Sequence, residues 1–371
     1  MTRDTPGSTL DVAFLGYRFM GQAHANALAR LPMFFPEAPG TNRQTLVGQD
    51  EAALEDARER LGFDQISTDW ETAIEDADVL YNLGPNFLHA EPSIAALEGD
   101  THVLCEKPLA RTTEAAEEMV AAAEASDAVA GTAFNYRYVP AIQYAKHLVD
   151  AGELGEIRHV RGRYLQDWLV DPEAPWSWRL DEDLAGSGAL GDLGAHTVDL
   201  VQHLVADVAE VSGRTRTFVD ERPTEDGGTA AVTVDDAYSA HGELANGATV
   251  SLEASRFATG RKNDHTLEIE GSKGALKFSL ERLNELELKL EDDRGFQTVL
   301  VTDEEDPYID HWWPPGHTIG WEHTFVHQSA AFLDAVAGDG NYTPDFADGL
   351  GVQQVLGAIQ ESDERGERVD L

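Results

Sequence analysis

The sequence has few basic residues for its length. It contains 27 Lys and Arg against 68 Asp and Glu, which gives a formal net charge of −41. The acidic residues are scattered along the chain, so we interpret the excess as a property of the surface and not as an interaction tail. Such a surface repels itself in dilute salt, whereas at molar salt the Debye length falls to about 3 Å. The composition therefore indicates adaptation to a salt-rich cytoplasm, and it argues against nucleic acid or an anionic membrane as a partner.

Features of several other protein classes are also missing. The single cysteine, Cys105, excludes an intrachain disulfide, and its apolar surroundings favour an inert buried thiol. No apolar stretch reaches the roughly 18 residues needed to cross a bilayer, and Met1–Leu10 lacks a secretory apolar segment. We therefore expect a cytoplasmic protein. Its 371 residues, 42% of them hydrophobic, predict about two domains, each with its own core.

Short apolar runs alternate with helical patterns in the first third of the chain. This rhythm is typical of an α/β, doubly wound parallel sheet of the Rossmann type. The predicted strands are Leu10–Leu15, Thr45–Val47, Val79–Leu83, His102–Cys105 and Val129–Asn135. The predicted helices are a segment from the first glycine turn through Arg30, Glu51–Leu61 and Thr113–Ser126.

After about residue 136 the pattern changes to β-rich segments with few helices. Asn246-Gly247 is a strong hairpin signal, and Gly271-Ser272-Lys273-Gly274 is a second turn between two such segments. The pattern predicts a C-terminal α+β domain with a large open, mostly antiparallel sheet. We expect a dinucleotide-binding domain at 8–135 and a substrate-binding and oligomerisation domain at 136–345. A C-terminal helix within 346–371 is expected to pack back on the first domain.

The first strand leads into a turn bounded by Gly16 and Gly21 and then into a helix. This arrangement points backbone N–H groups and a positive helix end at a diphosphate. The usual pattern has three glycines, and here Arg18 occupies the middle position, from which it could pair with a phosphate. Asp50 follows the second strand and is the candidate for the adenosine ribose hydroxyls, which favours NAD while leaving NADP open. A helix N-cap is the alternative role for Asp50.

Two further segments follow strands at the carboxyl edge of the predicted sheet, where ligands bind in this architecture. The first is Gly84-Pro85-Asn86, with His89 three residues later, and its alternative role is a turn with a helix cap. The second is Lys107, whose ammonium can hydrogen-bond a substrate oxygen and stabilise alkoxide character. A proline next to it can adopt the cis form, which would turn the lysine side chain inward.

A second chemical group lies in the later part of the chain. Asp192 and His196 are four residues apart and would share one face of a helix. An unperturbed histidine titrates near pH 6.5, so His196 can accept a hydroxyl proton that Asp192 helps to orient. Asp199 and His203 continue the face, which leaves a hydrogen-bonded interface helix or a metal site as alternatives. Because no Cys or further His completes a ligand set, we predict no metal.

The segments 164–168 and 176–179 combine aromatic rings with hydrogen-bonding groups, the mixture that a sugar-like ligand needs. Ordinary core and loop packing is the alternative explanation. Together with a hydride acceptor and a proton acceptor, the mixture indicates an alcohol dehydrogenase for a polyhydroxylated substrate.

At this point the residues match a known family. The matching marks are Gly16, Phe19-Met20-Gly21, His24, Pro85-Asn86, His89, Glu106-Lys107-Pro108, Asn135-Tyr136-Arg137, Trp178-Arg179, Asp192, His196 and Asp199. The chain resembles the glucose–fructose oxidoreductase and inositol dehydrogenase (Gfo/Idh/MocA) family. The resemblance implies a Rossmann domain, a large sheet that packs subunits into dimers or tetramers, and NAD(P)-dependent oxidation of a cyclic sugar or polyol hydroxyl.

The resemblance also assigns roles by position. The implied catalytic residues are Lys107, Asp192 and His196. The implied substrate-binding residues are Lys107, Tyr136, Gln166, Asp192, His196 and Asn263. The implied cofactor-binding residues are Gly16, Arg18, Phe19, Met20, Gly21, Asp50, Pro85, Asn86, His89, Glu106, Lys107, Asn135, Trp178 and Arg179.

Three functions follow from these assignments. The first is a sugar or polyol dehydrogenase, in which Lys107 and His196 act on one hydroxyl beside the nicotinamide. The second is an NAD-recycling enzyme of the same fold that cleaves a glycosidic bond after transient oxidation. The third is a non-catalytic regulator that binds NAD or a sugar, and the presence of all three catalytic side chains argues against it.

Overall fold

The computed structural model describes residues 9–338 and 340–371. The helices are α1 Phe19–Phe34, α2 Glu51–Leu61, α3 Trp70–Glu75, α4 Ala90–Glu98, α5 Thr113–Ala125, α6 Pro140–Asp150, α7 Glu182–Ala185, α8 Ala195–Leu204, α9 Trp321–Val336 and α10 Phe346–Arg365. The strands are β1 Leu10–Leu15, β2 Thr41–Val47, β3 Gln65–Ser67, β4 Val79–Asn82, β5 His102–Cys105, β6 Ala130–Thr132, β7 Ile157–Leu165, β8 Val208–Arg216, β9 Glu221–Pro223, β10 Thr229–Ala231, β11 Ala237–Leu244, β12 Thr249–Ser255, β13 Asp264–Gly271, β14 Ala275–Ser279, β15 Glu285–Lys289, β16 Gln297–Leu300 and β17 Val369–Asp370.

The chain divides into two compact units. Of the described residues, the first contains 9–110, 114–135, 320–338 and 340–350, and the second contains 111–113, 136–319 and 351–371. The domain ranges expected from the sequence stay a prediction. After residue 319 the chain returns to the first unit, and from residue 351 it belongs to the second unit again. Helix α9 lies in the first unit, whereas the prediction included it in the second domain.

The first unit is built on a parallel sheet with the strand order β3-β2-β1-β4-β5-β6. Its central strands are continuous apolar runs because helices cover both faces of such a sheet, and Val12, Ala13 and Phe14 of β1 are fully buried. The strand order reverses between β1 and β4, and a ligand crevice forms at such a point. The predicted doubly wound parallel sheet is confirmed.

The second unit contains a sheet with the order β16-β15-β14-β13-β7-β12-β11-β8-β17. Among its described pairs, all are antiparallel except β7 with β12. The predicted hairpin at Asn246-Gly247 joins β11 to β12, and Gly247 takes a φ of +84° that favours glycine. In the second predicted turn the N–H of Gly271 donates to the carbonyl of Gly274 at 2.8 Å. The large, mostly antiparallel sheet is therefore confirmed.

The expectation that a helix within 346–371 packs back on the first domain stays a prediction. Phe346 does lie in the core of the first unit, yet residues 351–371 belong to the second. Within the second unit, Ser362 Oγ accepts the N–H of Gly213 at 3.0 Å, and Asp363 Oδ2 accepts the N–H of Thr215 at 3.1 Å. In the described part of the chain, every helix is too short or too polar to pass through a lipid bilayer.

Candidate functional site

The turn after β1 leaves no room for side chains at its two glycines. Gly16 has a φ of +114°, and a Cβ there would lie 2.5 Å from the carbonyl oxygen of Leu83 at the end of β4. A Cβ on Gly21 would lie 2.5 Å from the carbonyl oxygen of Gly16. The turn therefore packs closely against the residues that follow β4, next to the place where the strand order reverses. Helix α1 begins within this turn, after Arg18. This cradle fits the diphosphate of a dinucleotide.

The four residues between these glycines, Tyr17 to Met20, are at least partly accessible to solvent. Arg18 is exposed and is the N-cap residue of α1, where its side chain makes no capping hydrogen bond. Phe19 is 63% exposed, and its ring stacks on Trp321 with a centroid distance of 5.5 Å. Met20 is half-buried. Arg18 at the start of the helix is placed to meet an anionic ligand.

Asp50 has a defined structural role. Its Oδ1 accepts the N–H groups of Ala52 and Ala53, both at 3.1 Å, so it caps the N-terminus of α2. The side chain is exposed, and Oδ1 alone makes both capping bonds. The alternative interpretation as a helix cap is therefore confirmed, and contact with a ribose stays a prediction.

The turn after β4 contains Pro85 and Asn86, both half-buried, and continues into a short 3₁₀ helix at Asn86–Leu88. Asn82 holds this turn because its Nδ2 donates to the carbonyls of Leu88 at 2.9 Å and His89 at 3.1 Å. The backbone after β4 is therefore fixed close to the glycine turn.

His89 lies behind this turn. It is fully buried, and its two ring nitrogens lie 2.8 Å from the carbonyl oxygen of Pro108 and 3.1 Å from that of Gly84. The sequence assigned His89 to direct cofactor binding. Because the ring is enclosed and both nitrogens face the protein backbone, the described geometry instead gives it a role in holding the turn.

Glu106 and Lys107 follow β5. Glu106 is buried, its Oε1 lies 3.1 Å from Nε2 of His24, and its Oε2 accepts the backbone N–H of Lys107 at 3.1 Å. Glu106 therefore supports the peptide of Lys107 and presents no open carboxylate to a cofactor, which differs from its predicted direct role. The Lys107–Pro108 peptide bond is cis, as the sequence allowed, and the Lys107 side chain is half-buried.

Asn135 ends the part of the first unit that precedes the large sheet. Its side chain is buried, and Nδ2 donates to Thr324 Oγ1 at 2.8 Å. Asn135 thus links the segment after β6 to α9, which is a structural use of a side chain that the sequence assigned to the cofactor.

The second unit places Asp192 in an irregular helical turn. The sequence predicts an ordinary helix after Gly191, whereas Leu190–Gly194 is a π-helical turn that leads into α8. Single π-helical turns occur frequently at functional sites. Asp192 is half-buried in this turn, and His196, in the first turn of α8, is 7% exposed.

Asp235 fixes the start of this turn. Its Oδ1 accepts the N–H of Gly188 at 2.7 Å, and its Oδ2 accepts the N–H of Leu190 at 2.8 Å. Burial raises the pKa of Asp235, while Arg256 and the two amides oppose that shift. Asp235 was not identified from the sequence. Two adjacent acids in a β-rich region, Asp235-Asp236, were the only signal available.

Around His196 the second unit assembles a group of rings. The ring of Tyr136 lies 4.4 Å from that of His196, and the ring of Tyr164 stacks on His265 at 4.5 Å with an interplanar angle of 11°. Nε2 of His265 lies 3.1 Å from Thr197 Oγ1, and burial lowers the pKa of His265 to about 3. His265 is therefore a neutral ring at physiological pH. It was not identified from the sequence, because one histidine in a strand carries no pattern.

Hydrogen bonds connect this group to the two predicted substrate amides. The hydroxyls of Tyr136 and Tyr164 lie 3.0 Å apart, and the Tyr164 hydroxyl donates to Asn263 Oδ1 at 2.7 Å. Gln166 Nε2 donates to the same oxygen at 2.8 Å. Burial raises the pKa of Tyr164 well above its usual value, and the nearby Tyr136 and Asp192 add to the shift. Tyr164 therefore stays protonated and donates.

The remaining predicted residues are Asp199, Trp178 and Arg179. Asp199 Oδ1 accepts two hydrogen bonds from the buried guanidinium of Arg137, at 2.9 and 2.7 Å, so this acid serves an internal ion pair. Trp178 begins a 3₁₀ helix, and the exposed Arg179 lies over its indole at 4.5 Å. Among residues 9–338 and 340–371, no three His, Cys, Asp or Glu side chains come close enough together to hold a metal.

The predicted residues divide into two groups, one in each unit. The first unit holds Gly16, Arg18, Phe19, Met20, Gly21, Asp50, Pro85, Asn86, His89, Glu106, Lys107 and Asn135. The second unit holds Tyr136, Gln166, Trp178, Arg179, Asp192, His196 and Asn263.

Comparison with known proteins gives these groups a context. Residues 10–134 match an oxidoreductase family with an NAD-binding Rossmann fold, and residues 142–277 match the GFO/IDH/MocA C-terminal domain. The levoglucosan dehydrogenase of Pseudarthrobacter phenanthrenivorans is 40% identical over 98% of both chains. A crystal structure of an oxidoreductase domain protein from Kribbella flavida is 46% identical with a TM-score of 0.94, covering 98% of this chain and 99% of that one.

A third relative carries ligands. Levoglucosan dehydrogenase in complex with NADH and levoglucosan is 40% identical with a TM-score of 0.94, covering 98% of this chain and 99% of that one. The two matched segments follow one another along the chain, and the relatives cover nearly all of it. The chain therefore belongs to the GFO/IDH/MocA family of oxidoreductases.

Proposed function

We propose that the protein is an NAD-dependent dehydrogenase that oxidises one hydroxyl of a cyclic sugar, with levoglucosan as the first candidate substrate. The observation that carries the proposal is the similarity, over 98% of the chain, to a levoglucosan dehydrogenase solved with NADH and levoglucosan. The glycine cradle at Gly16 and Gly21 supports the cofactor assignment, since a Cβ at either position would meet backbone oxygen at 2.5 Å and prevent the tight turn that such a diphosphate site requires.

The proposed chemistry divides between three side chains. When bound, the nicotinamide accepts a hydride from the carbon that carries the hydroxyl. His196 takes the hydroxyl proton, as a neutral imidazole can at neutral pH. The ammonium of Lys107 donates a hydrogen bond to the same oxygen and stabilises the charge that develops there. Asp192 orients the imidazole or a neighbouring hydroxyl.

Sugar binding is assigned to Tyr136, Gln166 and Asn263. The structure supports this because Asn263 Oδ1 already accepts two hydrogen bonds, from Tyr164 and from Gln166. A carbonyl oxygen has two lone pairs, so the amide of Asn263 is held with its NH₂ group available to donate. A donor in a fixed direction suits the oxygen of a sugar hydroxyl or ether.

The test is a substrate panel of levoglucosan, inositols, glucose and xylose at high KCl, followed by NADH absorbance with NAD⁺ and NADP⁺ in turn. We expect turnover with NAD⁺ and a cyclic sugar. Lys107→Met should abolish turnover with little effect on the Kd for NADH, because it removes the group that stabilises the oxygen. Lys146→Met is the matched control, since Lys146 pairs with Asp150 on the surface of α6. Undiminished turnover in Lys107→Met would contradict the proposal.

An enzyme that recycles its cofactor is the alternative within the same fold. Such an enzyme would cleave a glycoside without net release of NADH. A dehydrogenase should release one NADH for each sugar oxidised, so comparing NADH formed with sugar consumed separates the two.

We also propose that the large sheet of the second unit joins subunits. On its solvent face, Arg161 pairs with Glu268 at 3.5 Å and Glu270 at 3.0 Å, and Lys277 pairs with Glu268 at 2.9 Å. Local charge balance of this kind contrasts with the net charge of −41 for the chain and reduces repulsion between two copies. Light scattering at 0.2 and 2 M KCl should show a dimer or tetramer, and a monomer at both concentrations would contradict this.

A further inference from the structure

His89 has an unusual pair of neighbours. Its Nδ1 lies 2.8 Å from the carbonyl oxygen of Pro108, and its Nε2 lies 3.1 Å from the carbonyl oxygen of Gly84. Carbonyl oxygens only accept hydrogen bonds, so both contacts are hydrogen bonds only when both nitrogens carry protons. A neutral imidazole has one N–H and can serve only one of them.

The surroundings of His89 favour the neutral ring. Burial lowers the pKa of His89 and outweighs the opposing effects of the two carbonyls and of Glu106, while Lys107 lowers it further. The titratable groups that act on the ring are therefore Glu106 and Lys107. At neutral pH the ring carries one proton and must choose one carbonyl.

The distances identify that choice. The contact from Nδ1 to Pro108 is 0.3 Å shorter than the contact from Nε2 to Gly84, being 2.8 against 3.1 Å. Two acceptors that face each other without a proton repel, so the shorter contact is the one that carries the hydrogen. We therefore assign the neutral ring as the Nδ1–H tautomer, which donates to Pro108.

We propose that His89 is a positioning residue that acts on Lys107 through the carbonyl of Pro108. The segment Lys107-Pro108 is then held at both ends by side chains. At one end Glu106 Oε2 accepts the N–H of Lys107 at 3.1 Å, and at the other Nδ1 of His89 lies 2.8 Å from the carbonyl oxygen of Pro108. Holding this backbone in place fixes the position of the Lys107 Cα atom. This in turn limits where the ammonium group can lie.

This inference rests on the proposed function, because it gives Lys107 a task for which position matters. Misplacing a catalytic group by about 1 Å can lower the rate by about a hundredfold. The proposed role also explains why a fully buried histidine lies between the turn after β4 and the residues after β5.

Three substitutions test the donor geometry. In His89→Asn the amide nitrogen falls near the place of Nδ1, and in His89→Gln it falls near the place of Nε2. His89→Ala removes both donors. We expect His89→Asn to retain most of kcat, and His89→Gln and His89→Ala to lose about tenfold to a hundredfold in kcat. The KM for sugar and the Kd for NADH should change little, since the ring is fully buried.

The opposite ranking would overturn the proposal. If His89→Gln kept kcat while His89→Asn lost it, the contact to Gly84 would be the functional one. Wild-type kcat in His89→Ala would also refute it. Above pH 7 the shape of the pH–rate profile should be the same in wild type and His89→Asn, because the ring is already neutral there.

A direct measurement on the wild-type chain does not depend on the folding of variants. Long-range ¹H–¹⁵N NMR of the histidine rings distinguishes the two neutral tautomers. We expect His89 to show a protonated Nδ1 and an unprotonated Nε2 from pH 7 to 9. The Nε2–H tautomer would overturn the inference. If the substrate panel showed no turnover, the proposed function would fail, whereas the tautomer result would still stand by itself.

Discussion

Asp235 and Gly188 are in contact in two ways: the Asp235 carboxylate accepts the N–H of Gly188 at 2.7 Å, and the Asp235 carbonyl oxygen would lie 1.7 Å from a Cβ at position 188. Gly188 is also buried, and the same Cβ would lie 2.5 Å from Nη2 of Arg256. The backbone before the π-helical turn therefore approaches the segment just before β11 as closely as a glycine permits.

We predict that Gly188→Ala destabilises the protein by more than about 3 kcal/mol, the upper end of the usual cost of overpacking. The clash involves backbone, which cannot move aside as a flexible side chain can. The measurement is the free energy of unfolding in urea at high KCl. Gly295→Ala is the control, because Gly295 is exposed and a Cβ there would meet nothing within 4 Å. Equal stability of the two variants would refute the prediction.

A second prediction concerns pH and His265. Because the folded protein holds the pKa of His265 at about 3, below the usual 6.5, the unfolded chain binds its proton first as the pH falls. The contribution of this group is complete above pH 6.5 and is lost towards pH 3, at about 1.4 kcal/mol per pH unit. His265→Phe keeps a ring to stack on Tyr164 but takes up no proton.

The loss of stability between pH 8 and pH 5 should therefore be smaller in His265→Phe than in wild type by about 2 kcal/mol. Loss of the contact with Thr197 Oγ1 should lower stability equally at both pH values. Urea unfolding at each pH gives both quantities. Parallel curves for the two proteins would show that His265 does not titrate in the unfolding reaction.

The third prediction separates two roles of Asp50. Asparagine caps helices about as well as aspartate but carries no charge. Asp50→Asn should therefore leave the free energy of unfolding almost unchanged. If Asp50 also repels a 2′-phosphate, the ratio of kcat/KM for NADP⁺ to that for NAD⁺ should rise about tenfold or more. An unchanged ratio would restrict Asp50 to the cap that the structure shows.

The fourth prediction concerns salt. Repulsion among 68 acidic residues should weaken as the Debye length shortens from about 10 Å at 0.1 M to about 3 Å at 1 M. We expect Tm to rise with KCl at pH 8, and to rise less at pH 4.5, where part of the carboxylates are protonated. A Tm that does not change with KCl at pH 8 would contradict the interpretation of the acidic surface as an adaptation to salt. The cytoplasmic location is a separate prediction that this measurement does not test.

The elements with clear ends could be predicted from the sequence. Helix α2 begins and ends where expected because Asp50 caps it and Gly62 follows with a φ of +75°. Strands β1 and β5 are short apolar runs, and their predicted bounds are those of the structure. In these cases local chemistry determines the local structure.

Helix α9 could not be recognised in this way. Its buried side includes the polar residues His327, Gln328 and Ser329, so the apolar period that marks a helix is interrupted. The π-helical turn was missed for a related reason, since one additional residue in a turn does not alter composition. The roles of Asp235, His265 and His89 depend on partners that lie far away in the sequence or in the backbone of another segment.

The π-helical turn makes the placement of Asp192 depend on chain length. Each residue of an α-helix turns the direction of a side chain by about 100°. Deleting Leu193 or Gly194, which lie between Asp192 and His196, would let the segment relax into an ordinary helix. Helix α8 would stay in place, and the direction of the aspartate side chain would change by about a quarter turn. Such a deletion should move the Asp192 carboxylate away from the His196 ring while both side chains are kept. A natural or engineered relative with this deletion would therefore contain both residues but not the arrangement that lets them act together.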